Sequence, residues 1–425
     1  MKVLVLGSGG REHALVWKLR QSPRVTQVYC IPGNGGIAAD AECLPGDLKN
    51  VDSLAQTAAR IQPDLTVVGP EVPLSLGVVD EFSRRGLRIF GPTAAAARLE
   101  SSKSFAKEFM QRHHIPTAKY AVCASEADLR DALPYFSPPI VVKADGLAAG
   151  KGVVICKTRE EAATVAADML GGKVLEGAGK RLVLEECLKG EEISFMVLSD
   201  GERVAPLVAA QDFKRVGDGD TGPNTGGMGS YSTDALLDGE MQEWLLTHVV
   251  RPVIAGMKAE GSPYKGILYC GLMMTARGPM VLEFNCRFGD PETQPVLMRM
   301  ESDLLGACIA SIEGRVSEGD LKWSRDPAVC VVLASGGYPG SYEVGKKISG
   351  IEEADRIEGV KVFHAGTTLR DGAFYTAGGR VLGVTARGAD LARAVERAYA
   401  GVAKIHFEDM HYRKDIAARA VKSVS

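Results

Sequence analysis

The chain has 425 residues, 45% of them apolar and 24% charged, a balance typical of soluble proteins with ordinary hydrophobic cores. Its 50 Lys and Arg nearly balance its 53 Asp and Glu, so the net charge of −3 gives no basic surface for nucleic acid or an anionic membrane. No apolar run approaches a spanning helix, and nine cysteines without a C-x-x-C pair favour free thiols in a reducing, cytoplasmic setting.

The first hundred residues alternate strand and helix patterns. Such alternation predicts a parallel, Rossmann-like sheet in which ligands bind beyond the carboxyl ends of the strands. The predicted strands are 2–6, 26–31, 64–68 and 87–90, and the predicted helices are 11–20, 52–60 and 77–85. A turn rich in Gly or Pro follows each strand, so the four turns are expected to converge at one edge of the sheet.

The centre of the chain mixes helices with antiparallel strands. A helix is predicted from 94 to about 113, and strands at 192–199 and 203–211 are predicted to form a hairpin that turns at Asp200. Six glycines between 216 and 230 favour a loop without regular structure. Further strands are predicted at 119–123, 140–143, 152–156, 181–185, 267–275 and 280–284, and further helices at 126–133, 159–170 and 240–258.

The last hundred residues predict a small α+β domain, after a charged and weakly patterned linker at 313–327. Its clearest predicted elements are strands at 330–334 and 380–386 and a helix at 389–405. The fold class is therefore predicted as multidomain, α/β and α+β, with domains at 1–102, 103–312 and 328–425.

The turn after the first strand has the sequence GSGGRE at 7–12. It is similar to a dinucleotide-binding loop, but Glu12 stands at the third glycine position and the second strand ends without an acidic residue for a ribose. Both departures count against NAD. The N–H groups at the start of the helix still suit a phosphate or a carboxylate, and a simple tight turn is the alternative.

Lys143 interrupts an apolar strand pattern, and a charge in that position is costly unless it is paired. The segment that follows, 144–152, is rich in Gly and Ala and contains Lys151. A loop of this kind can cover a polyphosphate with backbone N–H groups while lysines neutralise its charge. We therefore predict a flap at 145–152 that closes over the site and excludes water, with a plain surface loop as the alternative.

The segment 280–292 predicts a metal site. In an alternating strand Glu283 and Asn285 point to the same face, and two hard oxygen ligands on one face suit Mg²⁺. Arg287 is next on that face if the strand continues, and it fits an anionic substrate group, either a carboxylate or a phosphate. A structural ion pair would explain the same residues.

These features together resemble the ATP-grasp pattern, and the chain is more specifically similar to the phosphoribosylamine–glycine ligase family over essentially its full length. The stretches that carry the resemblance are GGREHA at 9–14, VGPE at 68–71, KADGLAAGKG at 143–152, QDFKR at 211–215, DTGPNTGGMG at 220–229, FNCRFGDPE at 284–292 and FHAGT at 363–367. The resemblance implies a central ATP-grasp fold, with a flap-bearing subdomain at about 118–188. It also implies ATP-dependent ligation of glycine to 5-phosphoribosylamine through glycyl phosphate, in purine synthesis.

The resemblance and the motifs together give the expected site. ATP is expected to contact Lys103, Lys143, Gly146, Gly150, Lys151, Gly152, Glu185, Glu186, Leu188 and Glu192. The substrates are expected to contact Gly9, Gly10, Arg11, Glu12, Pro70, Glu71, Asp212, Lys214, Arg215, Asn224, Arg287 and Asp290. Mg²⁺ or Mn²⁺ is expected on Glu283 and Asn285, and the catalytic residues are expected to be Lys143, Lys151 and Arg287.

Two features depart from the usual patterns, the first from ATP-grasp enzymes in general and the second from the family. The strand before Glu283 has Leu272, Met273 and Met274 where many ATP-grasp enzymes have a third acidic metal ligand, and Ala417 stands where the family usually has Gly. Two rival functions stay open: another ATP-grasp carboxylate–amine ligase or a carboxylase acting on a different acid, and a nucleotide-binding regulatory protein without turnover. The expected partners are small molecules only, and the expected state is a monomer or a weak homodimer.

Overall fold

The computed structural model describes residues 1–147, 152–172 and 181–424. The N-terminal strands form a parallel sheet in the order β3-β2-β1-β4-β5, and its four main strands confirm the predicted ones. The strands are β1 (Lys2–Gly7), β2 (Gln27–Pro32), β3 (Glu42–Cys43), β4 (Leu65–Val68) and β5 (Ile89–Phe90). The helices are α1 (Gly10–Arg20), α2 (Ile37–Asp40), α3 (Val51–Ile61), α4 (Glu71–Ser75) and α5 (Val78–Arg84).

The single helix predicted from 94 to 113 is wrong, because the structure has two helices, α6 (Ala94–Ser101) and α7 (Lys103–Arg112). Ser102 between them is extended, with φ −136° and ψ 106°, and its hydroxyl accepts the N–H of Phe105. Serine competes well for the start of a helix because its side chain satisfies a free backbone donor there. The break places Lys103 in the first turn of α7.

A small antiparallel sheet follows, in the order β6-β9-β7-β8. Its elements are β6 (Tyr120–Cys123), α8 (Glu126–Ala132), β7 (Ile140–Ala144), β8 (Val153–Cys156), α9 (Arg159–Leu170) and β9 (Leu182–Glu186). The sheet and its two helices enclose a separate apolar core around Val142, Ala162 and Leu184. The predicted flap residues Gly150 and Lys151 lie outside the described residues.

A larger antiparallel sheet has the order β11-β10-β16-β17. Its strands are β10 (Glu191–Asp200), β11 (Val204–Pro206), β16 (Lys265–Thr275) and β17 (Gly278–Asn285). The predicted hairpin after Asp200 is confirmed, although its second strand is short. The predicted helix at 240–258 is present as α10 (Gly239–Leu245), a π-helical turn (Leu246–Val250) and α11 (Arg251–Ala259), and α12 (Thr293–Arg299) and α13 (Leu304–Glu313) follow β17.

The glycine-rich stretch predicted as an irregular loop contains regular structure, so that prediction is wrong. It forms a hairpin of β13 (Arg215–Gly217) and β14 (Thr221–Asn224), followed by β15 (Gly229–Ser232). Asp220 and Gly222 turn the hairpin with positive φ angles of 58° and 78°. The glycines therefore permit the turn rather than prevent strands.

The third large sheet crosses the predicted linker, in the order β12-β15-β18-β23-β20. It joins β12 (Gln211–Asp212) and β15 to β18 (Ala328–Ala334), β20 (Val360–His364) and β23 (Arg380–Arg387). The other C-terminal elements are β19 (Lys347–Ile348), α14 (Ile351–Asp355), β21 (Thr367–Arg370), β22 (Ala373–Thr376), α15 (Leu391–Val402) and α16 (Ala418–Val424). Among the described helices, none has both the length and the apolar character needed to cross a membrane.

Candidate active site

A cleft of about 360 Å³ lies between the small sheet and the larger antiparallel sheet. Of the residues expected to contact ATP or metal, it is lined by Lys103, Lys143, Gly146, Gly152, Glu185, Glu186, Leu188, Glu192, Glu283 and Asn285. Of the expected substrate residues, it is lined by Glu71, Asp212, Lys214, Asn224, Arg287 and Asp290. Segments more than 200 residues apart in the sequence thus meet in one place.

A buried charge cluster forms one wall of the cleft. The Glu185 carboxylate lies 2.9 Å from the Lys143 ammonium and 3.0 Å from the Lys107 ammonium, and all three side chains are under 10% exposed. Lys107 also donates to the Thr117 hydroxyl at 2.7 Å. Burial lowers the pKa of Lys107 to about 8, although Glu185 opposes this shift. The strand-borne Lys143 therefore has the charge partner that its position requires.

Lys107 was not predicted as a site residue. It follows Lys103 by four residues on α7, so both ammonium groups belong to the same face of the helix and line the same cleft. That spacing was the available signal. The side chain of Glu185 is paired with the two lysines, and Glu186 and Leu188 at the end of the same strand also line the cleft.

The base of the flap is joined to the start of α7. Lys103 donates to the carbonyl of Gly146 at 2.8 Å, and burial lowers the pKa of Lys103. Asp145 accepts hydrogen bonds from the backbone N–H of Ser104 at 3.2 Å and from the hydroxyl of Ser104 at 2.5 Å. The Ser102 hydroxyl lies 3.3 Å from the same carboxylate. Residues 145–146 and the helix that carries Lys103 therefore form one hydrogen-bonded unit.

Glu283 and Asn285 lie on β17 and both line the cleft, as their spacing predicts. Burial alone would raise the pKa of Glu283, but Lys214, Lys143 and Lys103 lower it overall, so the carboxylate is ionised at neutral pH. The side-chain oxygen of Asn285 accepts from Arg287 at 3.2 Å. An ionised carboxylate beside an amide oxygen, in a cleft wide enough for phosphate, fits a divalent cation that completes its shell with phosphate and water.

Within the described residues no group of three or more His, Cys, Asp or Glu could hold a metal by itself. This agrees with the apolar residues found in place of a third acidic ligand on β16.

Arg287 is paired with two carboxylates at the N-terminal side of the cleft. Its guanidinium lies 2.8 Å from Glu100 and 3.3 Å from Glu71, and its side chain is 16% exposed. Glu100 also accepts the N–H of Cys286 at 2.7 Å. Burial raises the pKa of Glu100, although Arg287 opposes the shift. Glu100, which was not predicted, thus holds both the guanidinium and the end of β17.

A second charge cluster, around Lys214, also lines the cleft. Lys214 forms an ion pair with Glu192, the residue expected at the ribose. Burial raises the pKa of Asp212, Lys214 opposes this, and the carboxylates of Glu292, Glu192 and Glu283 add to the increase. Arg215, also expected to contact substrate, is directed away and donates to the carbonyl of Gly222 at 2.8 Å.

The turn at 9–12 lies beside the cleft rather than in its described lining. Glu12 accepts from the N–H of Gly9 at 2.5 Å and pairs with Arg11 at 2.5 Å, so it caps α1. Arg11 also donates to the carbonyl of Phe288 at 3.1 Å. A Cβ atom added at Gly69 would stand 2.1 Å from the Glu12 carboxylate. Glu12 therefore replaces the third glycine of a dinucleotide loop with a helix cap.

One cation from the C-terminal residues reaches the rim of the cleft. Arg380 on β23 pairs with the Asp290 carboxylate at 2.8 Å and donates to the Asp290 carbonyl at 2.8 Å and to the carbonyl of Gly226. Asp290 and Gly226 both line the cleft. No local pattern in the sequence distinguishes Arg380 from the other arginines of the chain.

Three family models match the chain in order. They are described as the N domain of phosphoribosylglycinamide synthetase, matching residues 1–100, its ATP-grasp (A) domain, matching 101–293, and its C domain, matching 328–419.

Individual proteins give the same result. The chain is 51% identical to a phosphoribosylamine–glycine ligase of Vibrio vulnificus and 50% identical to that of Escherichia coli K12, each over 99% of both chains. It is also similar to the crystal structure of phosphoribosylamine–glycine ligase from Thermotoga maritima, with a TM-score of 0.85, 35% identity and coverage of 98% of this chain and 100% of that one. The biotin carboxylase domain of a Hydrogenobacter thermophilus carboxylase, at 17% identity and a TM-score of 0.74, shares the fold.

Proposed function

The chain belongs to the phosphoribosylglycinamide synthetase family, and on that premise we propose that it joins glycine to 5-phosphoribosylamine at the expense of ATP. The products are glycinamide ribonucleotide, ADP and phosphate, in purine biosynthesis. The single observation that carries the proposal is the cleft itself, where Lys103, Lys143, Glu283, Asn285 and Arg287 meet. Phosphoryl transfer requires positioning and charge neutralisation more than a protein nucleophile, and this set of side chains supplies both.

In this proposal the nucleotide lies between the two sheets. Lys103 and Lys143 bind its phosphates, the strand end at Glu186 and Leu188 faces its base, and Glu192 faces its ribose. A divalent cation, Mg²⁺ or Mn²⁺, held by Glu283 and Asn285, would neutralise phosphate charge and orient the transferred group. The flap residues Gly150 and Lys151 would complete the enclosure, which stays a prediction.

The chemistry proceeds in two steps. A carboxylate oxygen of glycine attacks the γ-phosphorus, ADP leaves, and glycyl phosphate forms. The amine of phosphoribosylamine then attacks the acyl carbon, phosphate leaves, and the amine loses a proton. Arg287 is placed to bind an anionic group in these steps, either the glycine carboxylate or the transferred phosphate.

We place phosphoribosylamine at the N-terminal edge of the cleft. Glu71 lines the cleft directly, and Arg11 joins the turn at 9–12 to the carbonyl of Phe288, two residues before Asp290. Backbone donors at the start of α1 suit the phosphate of the amine substrate. The remaining residues expected here are Gly9, Gly10, Glu12 and Pro70.

Mass spectrometry of the products tests the proposal directly. The protein is incubated with ATP, glycine and freshly prepared phosphoribosylamine, and each component is omitted in turn. We expect glycinamide ribonucleotide only in the complete mixture, with one ADP for each product molecule. ADP release that depends on a different carboxylic acid would indicate another carboxylate–amine ligase, and nucleotide binding without turnover would indicate a regulatory protein.

Two further expectations concern the cellular compartment and the oligomeric state. All nine cysteines are free thiols, which supports the expected reducing, cytoplasmic setting. A monomer or weak homodimer remains the expected state, and equilibrium sedimentation measures it.

A further inference from the structure

The segment 411–416, near the end of the chain, packs against the back of the β13–β14 hairpin. Its central residue, Arg413, is 1% exposed. The guanidinium forms two hydrogen bonds with Asp415, both 2.7 Å long, and donates to the Asp220 carboxylate at 2.9 Å and to the carbonyl of Arg215 at 3.2 Å. It also lies 4.9 Å from the ring centre of Phe213. Because the guanidinium contacts all of these groups at once, it fixes the distances between Asp415, Asp220, the Arg215 carbonyl and Phe213.

The contacts of Arg413 and the contacts of the cleft lie on opposite sides of the same short segment. Asp212 and Lys214 line the cleft, whereas Phe213 and the carbonyl of Arg215 contact Arg413. Successive side chains of an extended chain point to opposite faces, so this alternation is expected. Arg413 therefore contacts this segment on the side opposite to the cleft, behind Asp212 and Lys214.

The turn of the hairpin is held by the same C-terminal segment. Lys414 donates its N–H to Asp218 at 2.8 Å, and the N–H of Gly219 donates to Asp415 at 2.9 Å. His411 contacts the carbonyl of Val216 at 2.8 Å. The opposite end of the hairpin is Asn224, which lines the cleft. The C-terminal segment therefore holds the turn of the hairpin directly, and Arg413 holds Arg215, the strand partner of Asn224, at its other end.

We propose that Arg413 is a positioning residue for the substrate side of the active site, acting through the hairpin to place Asp212, Lys214 and Asn224. This inference rests on the proposed function, because it assigns those three residues to glycine or phosphoribosylamine rather than to ATP. The Arg413 guanidinium is buried while the carboxylates of Asp220 and Asp415 are partly exposed, so the contacts hold the exposed hairpin turn to a buried, fixed group.

Two substitutions test the proposal. Arg413→Lys keeps the charge but loses the paired hydrogen bonds to Asp415. Asp220→Asn removes one carboxylate from the hairpin and keeps a residue that tolerates a positive φ. Arg393→Lys is the matched control, because Arg393 forms an exposed ion pair with Glu396 on the surface of α15.

For each variant, KM and kcat are measured separately for glycine, phosphoribosylamine and ATP, and the melting temperature is recorded. We expect KM for glycine or phosphoribosylamine to rise about tenfold in both test variants, since displacements near 1 Å have effects of this size or larger. KM for ATP should rise clearly less, because Lys103, Lys143 and the strand end at Glu186 lie on other elements, and the nucleotide is connected to the hairpin through the ion pair of Glu192 with Lys214. The control should match the wild type throughout.

The proposal would be overturned if both KM values for the non-nucleotide substrates were unchanged, or if KM for ATP rose equally. If Arg413→Lys does not fold, Asp220→Asn alone decides, because Asp220 is partly exposed at a turn. The assay of the wild-type protein distinguishes the two proposals. If the wild type forms no product, the proposed function is contradicted. If the wild type forms product and the variants have unchanged KM values, only the role of Arg413 is contradicted.

Discussion

Glu283 and Asn285 contribute oxygen atoms to the wall of the cleft and little to the core, since both residues line the cleft. We therefore expect Glu283→Gln combined with Asn285→Ala to abolish turnover while the melting temperature stays within a few degrees of the wild-type value. The measurement is ADP release at increasing Mg²⁺ and Mn²⁺. Glu358→Gln, an exposed substitution, is the control. Wild-type turnover at saturating metal would refute the metal assignment.

Lys107 links stability to pH. Its pKa in the folded protein is about 8, below the ordinary 10.5, so the unfolded chain binds more protons between these two values. The free energy of unfolding should therefore rise with pH across this window, by up to about 3 kcal/mol from this group alone. Lys107→Met removes the group, and the difference in unfolding free energy between the wild type and Lys107→Met isolates its contribution.

The measurement for Lys107 is denaturant unfolding of both proteins at pH 7.5, 9 and 10.5. We expect the wild type to gain stability relative to Lys107→Met as the pH rises. A difference that is constant over this range would show that Lys107 titrates normally in the folded protein.

Ala417, where the family usually has Gly, adopts a φ of +61° and is 1% exposed. A residue with a Cβ atom in the left-handed conformation destabilises the folded state by about 1–2 kcal/mol, and glycine would relieve this strain. Against that, glycine would lose a buried methyl group and gain conformational freedom in the unfolded chain, and each of these effects lowers stability by about 0.8 kcal/mol. Ala417→Gly should therefore change the free energy of unfolding by less than about 1 kcal/mol.

Ala398 is the matched control for Ala417, because it is also buried but lies inside α15. At this position glycine loses both the buried methyl group and the helix propensity of alanine. Ala398→Gly should therefore lower the free energy of unfolding by about 2 kcal/mol. Equal losses from the two substitutions would mean that the backbone at Ala417 carries no strain.

Among the elements, the break between α6 and α7 has the clearest consequence. Asp145 accepts two hydrogen bonds from Ser104 and so fixes the start of the helix that carries Lys103. Asp145→Ala should lower the free energy of unfolding by about 1–2 kcal/mol, as for loss of a helix cap. It should also lower kcat more than ATP affinity, because Lys103 and the base of the flap lose their common anchor.

The control for Asp145 is Asp128, which accepts the N–H of Ala124 at 2.9 Å near the start of α8, away from the cleft. Asp128→Ala should lower stability by about 1 kcal/mol without changing kcat. If the two variants had the same kinetics, the anchoring role of Asp145 would be excluded.

The sequence predicted those elements whose residues follow a simple period. Alternation along β17 predicted that Glu283 and Asn285 share a face, and both line the cleft. It did not predict the break at Ser102, which depends on a single hydroxyl cap. It also did not predict the β13–β14 hairpin, which depends on contacts with residues some 200 positions away in the sequence. Glu100, Arg380 and Arg413 act through such distant partners, so no local pattern marks them.

At the scale of the whole molecule, the sheet that joins β15 to β18 makes the C-terminal residues part of the central structure. All four residues of β15 are buried. Removing residues 328–425 would expose an unpaired strand edge and the apolar side chains behind it, a combination that favours aggregation. We expect a fragment of residues 1–327 to be insoluble or to unfold without cooperativity, as tested by sedimentation and circular dichroism. A fragment that folds cooperatively would contradict this.

The same sheet determines which parts of the chain can be exchanged between relatives. A Cβ atom at Gly229 would lie 2.6 Å from the carbonyl oxygen of Cys330 and 2.8 Å from the side chain of Ile416. Strand β15, before the linker, and strand β18, after it, therefore pack so closely that no additional atom fits between them at Gly229. A chimera with its crossover in the linker would separate the matched surfaces, whereas one that transfers 211–232 together with 328–425 would inherit the fit intact.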